Sequence, residues 1–122
     1  MRTKKPKTLK QRQETFIKAA LRRASLRWEG RNQAFVQARI KRGLYKCADC
    51  GDGFKRNQVQ LDHIDPVIDI KLGSTNWDDY INRLLPDVSG FQVLCENCHD
   101  NKTRIEDELR VYFAQKRKKL DK

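Results

Sequence analysis

Cys47-Ala48-Asp49-Cys50 and Cys95-Glu96-Asn97-Cys98 are the two stretches on which the fold turns. Each is a Cys-x2-Cys knuckle, 44 residues lie between them, and together they use all four cysteines of the chain. A two-residue gap lets both sulfurs of a knuckle face one ion, and four thiolates satisfy zinc tetrahedrally at about 2.3 Å. The spacing predicts a closed site, hence a structural zinc rather than a catalytic one. The alternatives are two disulfides or a thioredoxin-like redox pair. Against the first, Met1-Arg2-Thr3-Lys4-Lys5-Pro6-Lys7 leads into a polar stretch with no apolar secretory segment, which places the chain in a reducing cytoplasm. Against the second, the knuckles are symmetrical and neither sits in a βαβ pattern.

Composition points the same way. With 38% hydrophobic and 35% charged residues in 122, one modest core is expected, short of apolar surface and in need of a metal staple. No segment approaches the length of a membrane span. The net charge of +11 is unevenly divided: residues 1–46 hold 15 Lys and Arg against 2 acids, residues 47–100 hold 4 against 10, and residues 101–122 hold 8 against 4. A basic arm, an acidic middle and a basic tail predict a polyanion gripped at the flanks, with carboxylates in the middle free for another use such as metal binding.

Outward from the knuckles, periodicity predicts the elements. Residues 1–11 read as a flexible, basic lead-in containing Pro6. From Gln13 to Trp28, Phe16, Ile17, Ala20, Leu21, Ala24 and Trp28 recur at helical spacing, with Arg12, Lys18, Arg22, Arg23 and Arg27 on the other positions. Gly30 is expected to break this helix, and a second runs from Ala34 to near Gly43, with Trp28 and Phe35 as core residues. Val59 to Ile64 and Phe91 to Leu94 read as strands. Between them Asn76 caps a short helix, Trp77 to Leu85, stopped by Pro86. Cys98 to about Lys118 reads as a final helix with Ile105, Leu109, Tyr112 and Phe113 as its buried stripe, and Lys116 to Lys119 at the negative end of its dipole. The domain plan is a basic helical nucleic-acid-binding arm, 1–44, followed by a zinc-stapled unit, 45–122.

The chain has two histidines, and both lie beside the expected staple. His63 ends the first strand directly after Asp62, and His99 follows the last cysteine at the start of the final helix. A zinc that pins the second knuckle beside the first makes strand and helix neighbours, so the two histidines can converge. His63 suits a general base on water near neutral pH. Asp62 offers a hard oxygen and His99 an imidazole, a partial shell for Mg²⁺, Mn²⁺ or another divalent ion.

These fragments, in this order, resemble the HNH endonucleases common in bacteriophage genomes. Ala20 to Ser25 with Arg27-Trp28, then Arg42 to Cys50, resemble their basic lead-in and first knuckle. Leu61-Asp62-His63-Ile64-Asp65-Pro66 resembles the strand bearing the first family histidine, and Gln92 to Thr103 the second knuckle and catalytic helix. The resemblance implies an α+β, mainly helical protein with a ββα-metal (His-Me finger) core, a structural four-cysteine zinc site and a basic helical N-terminal arm. It implies His63 as general base, Asp62 and His99 as ligands of a catalytic divalent cation, and Lys102 as a phosphate contact. Arg22, Arg23, Arg27, Arg39 and Arg42 are the further expected contacts to duplex DNA. Similar phage proteins are associated with genome packaging beside terminase, which would place this chain in the host cytoplasm. One position departs from the pattern: the middle asparagine of the family, nine residues before the last histidine, is Gly90 here. Ser89, Asn82 or the backbone itself would have to hold the loop. The expected function is metal-dependent nicking of DNA. The rivals are a non-catalytic zinc-knuckle DNA-binding or adaptor protein, and an RNA-directed nuclease.

Overall fold

A computed structural model describes residues 5–120. The chain begins its regular structure at Thr8, whose hydroxyl accepts from the Gln11 amide while the Gln11 side chain accepts from the Thr8 amide. This capping box opens α1, Leu9–Ser25. The lead-in expected over residues 1–11 is thus shorter, and its first four residues lie outside the described part. α1 ends at Ser25, three residues before the expected Trp28, and α2 is Glu29–Ala38.

Gly30 does not break a helix; it lies buried in the first turn of α2. A Cβ there would stand 2.9 Å from the Phe91 ring, so the glycine allows a close approach of helix to strand. Trp28, at the head of α2, is half-buried and donates its indole N–H to the Pro86 carbonyl at 2.7 Å. Phe35 is half-buried, edge-on to Tyr45, with the Arg56 guanidinium stacked 3.8 Å over its ring. The second helix stops at Ala38 rather than near Gly43, because the chain turns extended at Arg39 and pairs with residues 44–45.

That pairing makes a small antiparallel sheet in the order β1 (Arg39–Lys41), β2 (Leu44–Lys46), β3 (Gly53–Phe54), with Gly43 at φ +78° in the first turn. The expected boundary between residues 44 and 45 falls inside β2. The second sheet is β4 (Val59–His63) antiparallel to β5 (Phe91–Cys95), with Asp62 opposite Gln92 and His63 opposite Phe91. α2 packs on β5, so the second helix belongs with the unit that carries the four cysteines rather than with a separate arm. The buried residues of the second sheet, Val59, Phe91, Val93, Leu94 and Cys95, join Ala34, Cys47, Tyr80 and Leu84 as the apolar core of the described residues.

Between β4 and β5 runs α3, Trp77–Leu84, capped by Asn76 as expected. Arg83 staples the preceding loop to it, reaching Asp69 at 2.7 Å, Asp79 at 3.0 Å and the Pro66 carbonyl at 3.1 Å. α4, Glu96–Leu120, begins two residues before Cys98 and is about 37 Å long at 1.5 Å per residue. That outruns the sheet it packs on. Ile105, Leu109 and Tyr112 are therefore half-exposed and only Phe113 of the expected stripe is mostly covered. On α1, Phe16 and Ile17 are likewise exposed rather than packed. No helix among the described residues is long and apolar enough to cross a membrane.

Gly90 has its own packing reason. A Cβ there would lie 2.5 Å from Pro86 Cβ and 2.8 Å from its Cγ, so the asparagine expected from the resemblance would have no room. The loop is tied by main chain instead: the Ile64 amide donates to the Gly90 carbonyl at 3.0 Å, and the Gly90 amide to the Asp87 carbonyl at 2.8 Å. Gly90→Ala and Gly90→Asn should each cost about 1–3 kcal/mol by overpacking, read as a lower midpoint in urea denaturation. An unchanged midpoint would show that Pro86 yields freely.

Candidate functional site

The Cys47 turn is built by its own backbone. The Gly51 amide donates to the Cys47 carbonyl at 3.0 Å and the Cys47 amide to the Asp52 carbonyl at 2.9 Å, with Gly51 at φ +80°. Next to it the Ala48 amide donates to the Val93 carbonyl at 2.8 Å, which draws the first knuckle onto β5. Cys95 ends β5 and Cys98 sits in the first turn of α4. The four sulfurs lie within 4.8 Å of one another, and Cys50 Sγ is 4.0 Å from Cys95 Sγ. Sulfurs placed about 2.3 Å from a common centre are about 3.8 Å apart in a tetrahedron. A disulfide needs about 2.05 Å, and all four cysteines are free.

The chemistry of the donors also fits a dication. Burial opposes ionisation of Cys47, but the backbone amides of Cys95, Cys50 and Asp49 outweigh it and bring that thiol down to about 6. The Cys98 thiol is pushed up, first by sharing with Cys95 and then by burial. Sulfurs this close cannot all be thiolates without a positive charge among them. The four thiols are placed as a structural, four-thiolate metal site requires, in line with the expectation from their spacing.

Asp62 and His63 point to opposite faces of β4, as neighbours in a strand must. Asp62 is buried and faces α4. Its Oδ2 accepts from Gln92 Nε2 at 2.9 Å and pairs with Lys102 Nζ at 3.1 Å. The same ammonium reaches Glu106 and the His63 carbonyl, each at 3.1 Å. Lys102, expected on a phosphate, is thus satisfied by three oxygens of the protein. Beside this cluster a cleft of about 350 Å³ opens between the first knuckle and α4, lined by Asp49, Gln92, Lys102 and Glu106.

His63 faces the other way, its ring 4.9 Å from that of Phe91 and its Nε2 2.9 Å from the Leu84 carbonyl oxygen. Its pKa is lowered, by burial first and by the Arg31 and Arg22 charges, against the opposing pull of the Leu84 carbonyl and Asp62. His99, one helical turn before Lys102, is three-quarters buried, and its nearest carboxylate is Asp100 at 4.0 Å. Among the described residues Asp62, His63 and His99 do not form a group whose ligand atoms all lie within 4.8 Å; the four cysteines do. Strand and helix are neighbours, as expected, but the three side chains do not share one point.

The expected nucleic-acid contacts Arg22, Arg23, Arg27, Arg39 and Arg42 are all exposed. Sequence reasoning missed Arg31 and Arg56. Arg31 is half-buried on α2, and its pKa is lowered by that burial and by the neighbouring Arg56 charge. No carboxylate among the described residues forms an ion pair with Arg22, Arg31 or Arg56. Only tertiary structure brings Arg22 and Arg31 close enough to His63 for their charges to act on it. The Gln92 and Glu106 contributions were equally invisible, although Glu106 lies at helical spacing from Lys102.

Desalted protein should carry about one zinc per chain. Stripping it with a chelator, or replacing Cys98 with serine, should abolish the cooperative unfolding transition, because zinc held by four thiolates contributes on the order of 10 kcal/mol of folding free energy. Metal-free protein that still melts cooperatively would show the cluster to be dispensable.

Comparison of the chain with protein-family models, with curated proteins and with solved structures gives no match, which leaves its own geometry as the basis for a functional reading.

Proposed function

We propose that the chain is a metal-dependent endonuclease of the HNH kind that hydrolyses DNA phosphodiester bonds and nicks one strand. The observation that carries this reading is the fixed imidazole of His63. A carbonyl oxygen can only accept, so Nε2 held against Leu84 carries the proton and Nδ1 is the proton acceptor. A half-buried, neutral, oriented imidazole beside unpaired arginines is what a general base for phosphodiester hydrolysis requires. The strand order supports the reading too: β4, then β5, then α4 directly after it, with a four-cysteine cluster at the strand-to-helix junction.

In this mechanism Arg22 and Arg31 draw the phosphodiester to the His63 face. Nδ1 of His63 takes a proton from water as the water oxygen bonds to phosphorus, and the P–O3′ bond breaks, the 3′-oxygen leaving with a proton from solvent. Leu84, through its carbonyl, keeps the ring from turning. A divalent cation, whose chemistry would be to stabilise charge on phosphate oxygens, would be held by Asp62 on the opposite face of β4 from His63, so the step at His63 is not routed through it. Asp62 offers the hard oxygens for this role, whereas His99 is not joined to it by any contact.

A second reading, a nucleic-acid-binding protein that does not cleave, is favoured by one observation. The Lys102 ammonium already joins the Asp62 and Glu106 carboxylates, which neutralises the oxygens a cation would need.

Nicking of supercoiled plasmid in Mg²⁺ or Mn²⁺ separates the two. The wild type should nick, and His63→Ala should lose about 10²–10⁴-fold in rate with zinc content and duplex affinity unchanged. Folded, zinc-loaded wild type that binds DNA but cuts no substrate with any divalent metal would leave the binding reading in place.

A further inference from the structure

At the opposite end of α3 from His63, a second site is formed by elements that the cleavage chemistry does not use. Trp77 and Tyr80, in the first turn of α3, stand edge to face with ring centroids 5.9 Å apart. Lys18 of α1 lies over both rings, 5.4 Å from the Tyr80 centroid and 5.9 Å from that of Trp77. With Lys10, Glu14 and Gly73 they line a cleft of about 310 Å³ between α1 and the loop leading into α3. That volume is at the small end of ligand pockets, the size class of one nucleotide rather than a base pair.

Two independent observations indicate that this cleft takes a ligand. Tyr80 is 4% exposed, and its hydroxyl is the buried side-chain polar atom among the described residues that lacks any hydrogen-bond partner. Buried hydroxyls are almost always satisfied, so this one, closed off behind the cleft that the Tyr80 ring lines, gains a partner only when a bound group displaces the wall in front of it. Trp77, in contrast, is 38% exposed, a large aromatic surface left open to solvent beside two lysines.

We infer that the cleft binds one unpaired nucleotide of a nucleic-acid strand, its base stacked on Trp77, its phosphate held by Lys10 and Lys18, and a base polar atom bonded to the Tyr80 hydroxyl. An aromatic platform beside lysines is the pattern by which single strands are held, because every base offers a π-face and every nucleotide a charge. The lysines outnumber the single carboxylate of the lining, Glu14, so the cleft favours an anion. Trp77 and Leu84 are about 10 Å apart along α3 at 1.5 Å per residue. An unpaired nucleotide anchored here therefore lies within a few nucleotides of whatever sits at His63. The inference rests on the chain being a nucleic-acid-binding protein, not on its being a nuclease.

The test uses zinc-loaded, full-length protein in EDTA-free buffer lacking Mg²⁺ and Mn²⁺, so that no cleavage intervenes. Oligothymidylate and oligouridylate of about ten nucleotides, and a duplex of mixed sequence, are titrated while tryptophan fluorescence is followed. Either single strand should quench the wild type and leave Trp77→Phe, which retains only Trp28, unquenched. Trp77→Ala should weaken the single strand about 5- to 100-fold and the duplex less than about twofold. Tyr80→Phe should bind single strands several-fold more weakly at unchanged or higher thermal stability. A preference between the two oligonucleotides identifies the sugar the cleft accepts. Duplex binding with no Trp77 quenching by either single strand overturns the inference and leaves the nucleic-acid reading standing. Failure to bind all three overturns both. Should Trp77→Ala unfold, the quenching difference between wild type and Trp77→Phe still decides.

Discussion

Four sulfurs converging on one point hold this molecule's two sheets together. Cys47 comes directly after β2 and Cys95 ends β5, and with Cys98 they place the first turn of α4 beside the turn that precedes β3. The apolar core around them is small: Leu94 with Cys47 and Cys95, and Phe54 at its edge. A few buried side chains, each contributing about 1.5–3 kcal/mol, do not offset the ordering of so many residues. A metal held there would therefore do more than decorate a finished fold. It would fix where α4 starts, and with that which residues of α4 come to lie over Asp62.

The separation of the two candidate chemical groups depends on the two-residue period of β4. Asp62 and His63 are adjacent, yet one joins a buried polar network with Gln92, Lys102 and Glu106 on the α4 side, and the other packs on Phe91 under α2 and α3. Separate environments give the two groups opposite electrostatics. The carboxylate is surrounded by donors and a cation. The imidazole is desolvated among arginines that have no carboxylate partner. A slip of one residue in the β4–β5 register would exchange the two faces and destroy both environments at once, so the pairing of Asp62 with Gln92 matters as much as the identity of either residue.

Much of this was legible in the sequence where the signal is local. The knuckles, the two strands, the Asn76 cap and the run from Cys98 into a long helix all arise from spacing and periodicity. The rest depends on partners distant in the chain. Thr8-Leu9-Lys10-Gln11 is a capping box in plain view, but a charged run around Pro6 masks it. The β1–β2–β3 ribbon has strands of two or three residues, too short for alternation to show. The apolar stripes of α1 and α4 are real as sequence patterns, yet periodicity cannot say whether a partner covers them. Arg31 and Arg56 read as ordinary surface cations until α2 is laid across the sheet, and the unsatisfied Tyr80 hydroxyl is a property of packing alone.

At Gly90, where the resemblance leads to the expectation of an asparagine, the loop is tied by main chain alone. Gly90 is in contact range of Pro86, and only the missing Cβ lets the two approach. That approach sets the Gly90 carbonyl against the Ile64 amide, one residue after His63, and leaves Leu84, two residues before Pro86, to hold the His63 ring. The Pro86 carbonyl is in turn held by the Trp28 indole, and Trp28 heads α2, whose Gly30 packs on Phe91, the residue paired with His63. The chain of contacts closes on itself: helix to proline, proline to glycine, glycine to strand end, and strand partner back to helix. The orientation of the imidazole therefore rests on α2, so under the proposed reading a helix from the most basic stretch of the chain also positions the base.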